Sequence, residues 1–331
     1  MNESFYVFSH GTLKRKQNTV FFENQDGTYR YLPVEQIREM HLFGEVTLNK
    51  EVLEFFTQKS ILLHFYNRYG YYVGSFYPRE HYNSGCLLLK QAEHYLQTQK
   101  RNFLARQFVW GLAQNILRVL DYYRRRKVAV ETSMARIEAF ALELQKHDAP
   151  EEFMAIEGKI WEAYYHSFDA ILEDEDFAME KRTKRPPKNR LNALVSFGNS
   201  LLYTAILSEI YQTHLDPRIG FLHATNFRRF SLNLDVAEIF KPIIVSRIIF
   251  LLLNKGMLGP EDFSEHLGGL YLKENGRKVF IEKFEEKMKS TVSYKKIGRE
   301  VSYRRLIRLE LYKLEKHLLG EEDYQPLLAE W

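Results

Sequence analysis

Cysteine is almost absent: Cys86 is the single one in 331 residues. An internal disulfide is therefore impossible, cysteine-rich zinc and iron–sulfur centres are excluded, and the usage fits a reducing compartment. Common catalytic signatures are missing too. The chain has no Walker-type glycine loop, dinucleotide fingerprint, HExxH pair or serine-hydrolase elbow, which removes the usual ATPase, dehydrogenase and zinc-protease readings. The most apolar run, 243–253, is broken by Ser246 and Arg247. It is too short to span a bilayer and reads as a buried core helix. The first residues, Met1-Asn2-Glu3-Ser4-Phe5-Tyr6-Val7, lack a basic segment followed by an apolar one. No signal peptide is expected, and the expectation is a soluble cytoplasmic protein without membrane contact. There is no internal repeat and no low-complexity tract.

What is present supports real cores: 45% of residues are hydrophobic and 15% aromatic, with 27% charged and a net charge of +4. The length allows two domains. Residues 1–82 read as a small β-rich domain. Short aromatic or alternating runs at 5–9, 19–22, 29–32, 34–42, 46–48, 61–66 and 71–76 are expected strands, Asp26-Gly27 is a hairpin turn, and 50–58 has the spacing of one helix. Proline, glycine and polar residues cluster over 77–85. Beyond them, 83–331 reads as a larger all-α domain. Its expected helices lie near 87–126, 132–146, 149–173, 191–213, 231–255, 272–290 and 303–319, so the fold class is α+β.

The chemistry-bearing stretch is Leu215–His223 followed by Ser231–Lys241. Asp235 and Glu238 stand three apart, on one face of a helix, among Leu232, Leu234, Val236, Ala237, Ile239 and Phe240. Buried carboxylates need a donor, a cation or a metal. With His223 they suit a divalent ion, and pairing with Arg228 or Arg229 is the structural alternative. Glu157, in Phe153-Met154-Ala155-Ile156-Glu157-Gly158, is a third acidic candidate, though a surface glutamate would look the same.

Basic residues are unevenly spread. Lys181–Arg190 holds six cations in ten residues with two prolines. A second cluster holds Lys287, Lys289, Lys295, Lys296, Arg299, Arg304, Arg305 and Arg308, interleaved with Tyr294 and Tyr303. Charge runs are usually solvated surface. Cations mixed with tyrosines also fit a phosphate backbone with base stacking, and beside a carboxylate–histidine centre they point to metal-dependent phosphodiester chemistry.

The motifs together resemble the CRISPR adaptation integrase, the universal CRISPR-associated endonuclease family, in its subtype I-B-like branch. The matching elements are Phe43-Gly44, Gly70–Glu80, Ser84-Gly85, Ile156-Glu157-Gly158, Arg182–Pro187, Leu191–Tyr203, Leu215–His223 and Ser231–Pro242, in order along nearly the whole chain. The resemblance implies a dimerising β domain at 1–82 and a catalytic helical domain at 83–331. It implies Mg²⁺ or Mn²⁺ on Glu157, His223 and Glu238, with Asp235 as a supporting carboxylate. Many family members carry aspartate where this chain has Glu238.

It further implies transesterification of the 3′-OH ends of short duplex DNA onto a CRISPR repeat, a homodimer, and a small second CRISPR-associated adaptation protein as partner. Lys241, Arg182, Lys184, Arg185, Arg228, Arg229, Lys295 and Lys296 are DNA-binding candidates. Asn192, Ser196 and Asn199 share a helix face, either lining the pocket or satisfying nearby polar groups. The competing readings are a stand-alone metal-dependent nuclease for branched or damaged DNA, and a non-catalytic DNA-binding scaffold.

Overall fold

The computed structural model describes residues 3–78, 82, 84–223, 230–294 and 298–330. Two compact units divide the chain, Met1–His81 and Tyr82–Trp331. The first contains β1 (Glu3–Val7), β2 (Gly11–Lys16), β3 (Thr19–Asn24), β4 (Tyr29–Leu32), β5 (Ile37–Leu42), β6 (Val46–Leu48), α1 (Lys50–Gln58), β7 (Leu62–Tyr66) and β8 (Tyr72–Phe76). These form two four-stranded sheets, ordered β1-β5-β7-β8 and β4-β3-β2-β6. The core of the unit holds Leu13, Val20, Met40, Val52, Phe56 and Leu63.

Local chemistry explains most of these elements. Asn49 accepts a hydrogen bond from Val52 N–H at 3.1 Å and so starts α1, capping an orphan donor of the first turn. Gly27 takes φ +83° in the hairpin, and Asp26 Oδ1 accepts from Thr28 N–H at 2.9 Å. Strand β2 is not expected from sequence, because Lys14, Arg15 and Lys16 mask its pattern; Leu13 alone in it is fully buried. Strand β5 is parallel to both β1 and β7 and buried on both faces. That is the usual situation of a parallel strand.

The second unit holds α2 (Gly85–Leu96), α3 (Thr98–Arg124), α4 (Glu131–Glu143), α5 (Pro150–Tyr165), α6 (Phe168–Leu172), α7 (Arg190–Ile210), α8 (Leu232–Phe240), α9 (Arg247–Asn254), β9 (Phe263–His266), β10 (Gly269–Leu272), α10 (Glu274–Lys289), β11 (Thr291–Tyr294), β12 (Arg299–Ser302) and α11 (Tyr303–Leu318). The small β unit followed by a mainly helical one is the expected fold class, with two short hairpins added, β9–β10 and β11–β12.

Three expected helices are divided. The 87–126 run breaks at Gln97, whose backbone is extended at φ −85°, ψ 107°. The 149–173 run divides into α5 and α6. The 231–255 run is interrupted by a π-helical turn at Pro242–Ser246. Pro242 has no N–H to donate, and the ladder widens so that Ser246 N–H reaches Lys241 C=O at 3.0 Å.

Helix α7 is long and apolar enough to cross a membrane, but it is mostly buried as the core helix of its unit. A Cβ at Gly198 would meet Val245 Cγ1 at 2.6 Å and Phe280 Cζ at 2.7 Å, so α7 packs with close backbone approach. The C-terminal tail is sewn onto the helices. Asn115 donates to Ile239 C=O at 3.0 Å and Leu327 C=O at 2.9 Å, and accepts from Ala329 N–H at 2.8 Å.

Candidate active site

The site grows from the turn that ends at His223. Gln91 on α2 holds it, donating to the carbonyls of Asp216 at 2.9 Å and Ile219 at 2.7 Å. Arg101 Nε donates to Phe221 C=O at 3.0 Å. Ser231 Oγ accepts from Gly220 N–H at 2.8 Å and donates to Arg218 C=O at 2.7 Å. Gly220 is required here: a Cβ would lie 2.7 Å from Asp235 Oδ2.

Asp235, fully buried on α8, gathers the turn. Its carboxylate accepts from the N–H groups of Phe221 at 2.5 Å, Leu222 at 3.0 Å and His223 at 2.9 Å. Its Oδ1 also lies 2.8 Å from His223 Nδ1. A carboxylate on Nδ1 fixes the ring and leaves Nε2 to face a ligand. Burial alone would disfavour the imidazolium, but the Asp235 hydrogen bond and charge, with Glu238 behind, raise the His223 pKa.

Glu238 is one helical turn further and 1% exposed. Trp161 Nε1–H donates to its Oε2 at 2.8 Å, and Lys241 Nζ donates to its Oε1. Trp161 sits four residues after Glu157 on α5, so one helix face brings both to this place. Lys241 is itself buried, with its ammonium 5.6 Å from the Trp161 ring centre and 5.3 Å from that of Tyr203.

Burial opposes charge on each of these groups, and the ion pair decides the outcome. Lys241 and His223 hold Glu238 below its ordinary pKa despite desolvation. Glu238 and Glu157 hold Lys241 above its own. Partly buried Glu157 is the odd group out: desolvation and the Glu238 carboxylate push it up to about 7. Two carboxylates sharing one buried place with a single lysine lack positive charge, which a divalent cation would supply.

The structure thus brings Glu157, His223, Asp235, Glu238 and Lys241 into one electrostatic cluster. The basic loop adjoins it. Lys184 is lowered by desolvation and by Lys241 and Arg182, while Glu157 and Glu238 oppose that shift. Arg182 is fastened from α7, donating to Asn192 Oδ1 at 2.9 Å and Ser196 Oγ at 3.0 Å. Asn192 and Ser196 therefore secure the loop. Arg185 is exposed. Arg228, Arg229, Lys295 and Lys296 lie outside the described residues. In the C-terminal basic cluster, Arg308 pairs with Glu209 at 2.7 Å and Arg304 with Glu285 at 3.2 Å, so both tie helices together.

A second group went unnoticed in the sequence. Glu39, His41 and His64, all buried, bring one ligand atom each within 4.8 Å of one another in the β-rich unit, a set able to hold a metal ion. Its signal is the spacing Glu39-Met40-His41 and a lone His64 in an otherwise apolar strand.

An imidazole ordered by a buried aspartate, two neighbouring carboxylates that repel each other and a basic loop alongside define a centre suited to cation-assisted chemistry on an anionic substrate. Comparison with known proteins gives the family. The family model for CRISPR associated protein Cas1 matches residues 5–286. A CRISPR-associated endonuclease Cas1 from Thermodesulfovibrio yellowstonii is 55% identical over 331 residues, the full length of both chains. The solved structure of a CAS1 protein from Thermotoga maritima is 49% identical, with a TM-score of 0.90 over 99% of this chain and 100% of that one.

Two more distant structures share the fold. A casposase bound to integration product is 19% identical, with a TM-score of 0.89 over 100% of this chain and 95% of that one. A Cas6-RT-Cas1–Cas2 complex is 17% identical, with a TM-score of 0.85 over 100% of this chain and 36% of that one. This chain belongs to the Cas1 family.

Proposed function

We propose that the chain is a metal-dependent DNA integrase and endonuclease of CRISPR adaptation. In this reading it joins the 3′-OH ends of short duplex DNA to a CRISPR repeat by transesterification, with hydrolysis as the nuclease side of the same chemistry. The helical unit carries the reaction and the β-rich unit pairs two copies. The observation that carries the reading is the Glu157–His223–Glu238 cluster, with Glu238 buried and the other two partly so, in a Cas1-family chain. Relatives named endonucleases, a casposase on its integration product and a complex containing Cas2 support it. They also support DNA and a small second adaptation protein as partners.

Glu157, His223 and Glu238 would hold Mg²⁺ or Mn²⁺, since oxygen donors with one imidazole suit a hard divalent cation. The cation, when bound, polarises the phosphodiester and lowers the pKa of an attacking hydroxyl. The protein's own contribution is positional. Asp235 fixes the His223 ring, Trp161 and Lys241 fix Glu238, and Lys184 and Arg185 stand ready to draw phosphate groups.

The test is a strand-joining assay with labelled short duplexes and a repeat-bearing plasmid, with and without the second protein and Mg²⁺ or Mn²⁺. Joined product should fall about 10³-fold or more in Glu238→Ala and His223→Ala, the loss expected when several kcal/mol of transition-state stabilisation disappear. Cleavage without joining under every partner condition would replace integration by the stand-alone nuclease reading.

A further inference from the structure

We propose that Glu39, His41 and His64 form a zinc-binding site within the β-rich unit, separate from the cluster in the helical unit. The sheet register builds it. Across four neighbouring strands, Tyr6 pairs with His41, His41 with His64, and His64 with Ser75. These four side chains therefore form one row on one face. Glu39 lies two residues before His41, on that same face, and pairs with Ser4 of β1.

The two imidazoles are oriented toward the carboxylate. His41 Nδ1 is 2.9 Å from Tyr66 Oη, and His64 Nδ1 is 2.6 Å from Ser75 Oγ. Tyr6 stacks on the His41 ring with centroids 4.4 Å apart. Ser4 Oγ donates to Glu39 Oε1 at 2.6 Å, and Arg38 donates to the same oxygen at 3.2 Å. Ring nitrogens anchored on hydroxyls and a carboxylate held by donors are the outer contacts that metal ligands use.

The inward-facing atoms point to the ion. His41 Nε2 and His64 Nε2 each stand 3.7 Å from a Glu39 oxygen, beyond hydrogen-bond range. His41 Nε2 is buried and has no hydrogen-bond partner among the described residues. Arg38 already offsets the Glu39 charge at Oε1, and the ligand position left open is His41 Nε2, which faces that oxygen across 3.7 Å. Tetrahedral zinc at about 2.0–2.1 Å from each donor sets donor atoms about 3.3 Å apart; each 3.7 Å gap from a histidine to its own Glu39 oxygen needs about 0.4 Å of contraction, and the three ligand atoms lie within 4.8 Å of one another. Two imidazoles with one carboxylate favour zinc over magnesium. The fourth position falls to a water. Glu39 and His41 lie on β5 and His64 on β7, so the ion would pin two parallel strands.

The decisive protein is the full chain carrying Glu157→Ala, His223→Ala and Glu238→Ala, which removes the helical-unit cluster as a ligand source. Loaded with zinc chloride and gel-filtered, it should retain a single zinc ion per chain, and Co²⁺ should give the strong visible absorption of a four-coordinate site. Adding His41→Gln and His64→Gln should abolish both signals, and the melting temperature should then no longer respond to zinc. The proposal is overturned if the triple variant and the wild type bind no zinc at micromolar concentration, or if zinc survives both histidine replacements. Should the histidine variants not fold, the cobalt spectrum of the triple variant decides alone, and weak six-coordinate absorption would overturn the assignment. The outcome does not depend on the strand-joining assay.

Discussion

The two histidine–carboxylate clusters are assembled by different means and carry different charge balances. In the β-rich unit, register alone lines up Glu39, His41 and His64, with two imidazoles to one carboxylate. In the helical unit, a turn is gathered onto Asp235 while Glu157 and Glu238 arrive from α5 and α8. There carboxylates outnumber imidazoles, and Lys241 is buried among them. A donor set rich in oxygen with a built-in ammonium suits a cation that comes and goes with an anionic substrate. One rich in nitrogen and pinned by hydroxyls suits a cation that stays. The contrast matches the two proposals, reaction chemistry at one cluster and strand fastening at the other.

Lys241 tests the contrast most severely. Lys241→Met removes the positive charge from between Glu157 and Glu238 and leaves buried carboxylates without their partner. Breaking such a pair costs about 3–5 kcal/mol. The metal-free variant should melt well below wild type, and Mn²⁺ should recover more of the loss than it adds to wild type. A melting temperature unchanged from wild type would show that the ammonium does not balance this cluster.

Asp235→Asn comes next. The substitution keeps the shape but sets an amide beside the backbone N–H groups of Phe221, Leu222 and His223, and it frees the imidazole. Loss of such an orienting group costs about 10–100-fold in metal affinity or activity. The His223 pKa, raised by Asp235, should fall toward or below 6.5 when followed by NMR. A variant that binds Mn²⁺ as wild type does would reduce Asp235 to a fold-holding role.

These residues also mark where the sequence was legible and where it was not. His223, Asp235 and Glu238 stand out because their relation is local, a turn followed by one helix face. Glu157 is ambiguous from its own neighbours and becomes specific only through the ordered motifs of the family. Glu39-Met40-His41 is visible as a spacing, but a linear reading does not join it to His64, which parallel pairing brings in from 23 residues away. The π turn at Pro242–Ser246 escapes periodicity because apolar residues continue through it. Strand β2 escapes because its charges hide the single inward Leu13.

Glu157 offers a pH-dependent comparison. Its pKa rises from 4.5 to about 7 through desolvation and Glu238, so the folded chain holds that proton more tightly than the unfolded one. Metal-free stability should therefore fall as pH rises from about 4.5 through about 7, and Glu157→Gln should remove that loss. After discounting for partial exposure, the gain at pH 8 should be about 1–2 kcal/mol in denaturant unfolding. With Mn²⁺ present the ranking should reverse, because the glutamine offers the cation no charge. A variant less stable than wild type at pH 8 without metal would contradict the crowding of carboxylates.

The smallest effect separates basic residues that bind from those that build. Lys184 is exposed at the edge of the helical-unit cluster and Arg185 next to it in the chain is exposed too, while Arg304 and Arg308 are committed to Glu285 and Glu209. Log affinity for duplex DNA should fall linearly with log salt, by about 0.9 for each phosphate contact. Lys184→Ala with Arg185→Ala should therefore flatten that slope by up to about 1.8 while leaving the melting temperature nearly unchanged. Arg308→Ala should lower the melting temperature, because it removes the 2.7 Å partner of Glu209, 1% exposed, and should leave the slope nearly as it was. If the loop variants kept the full slope and the Arg308 variant lost it, the DNA path would run along α11 and not past the Lys181–Arg190 loop.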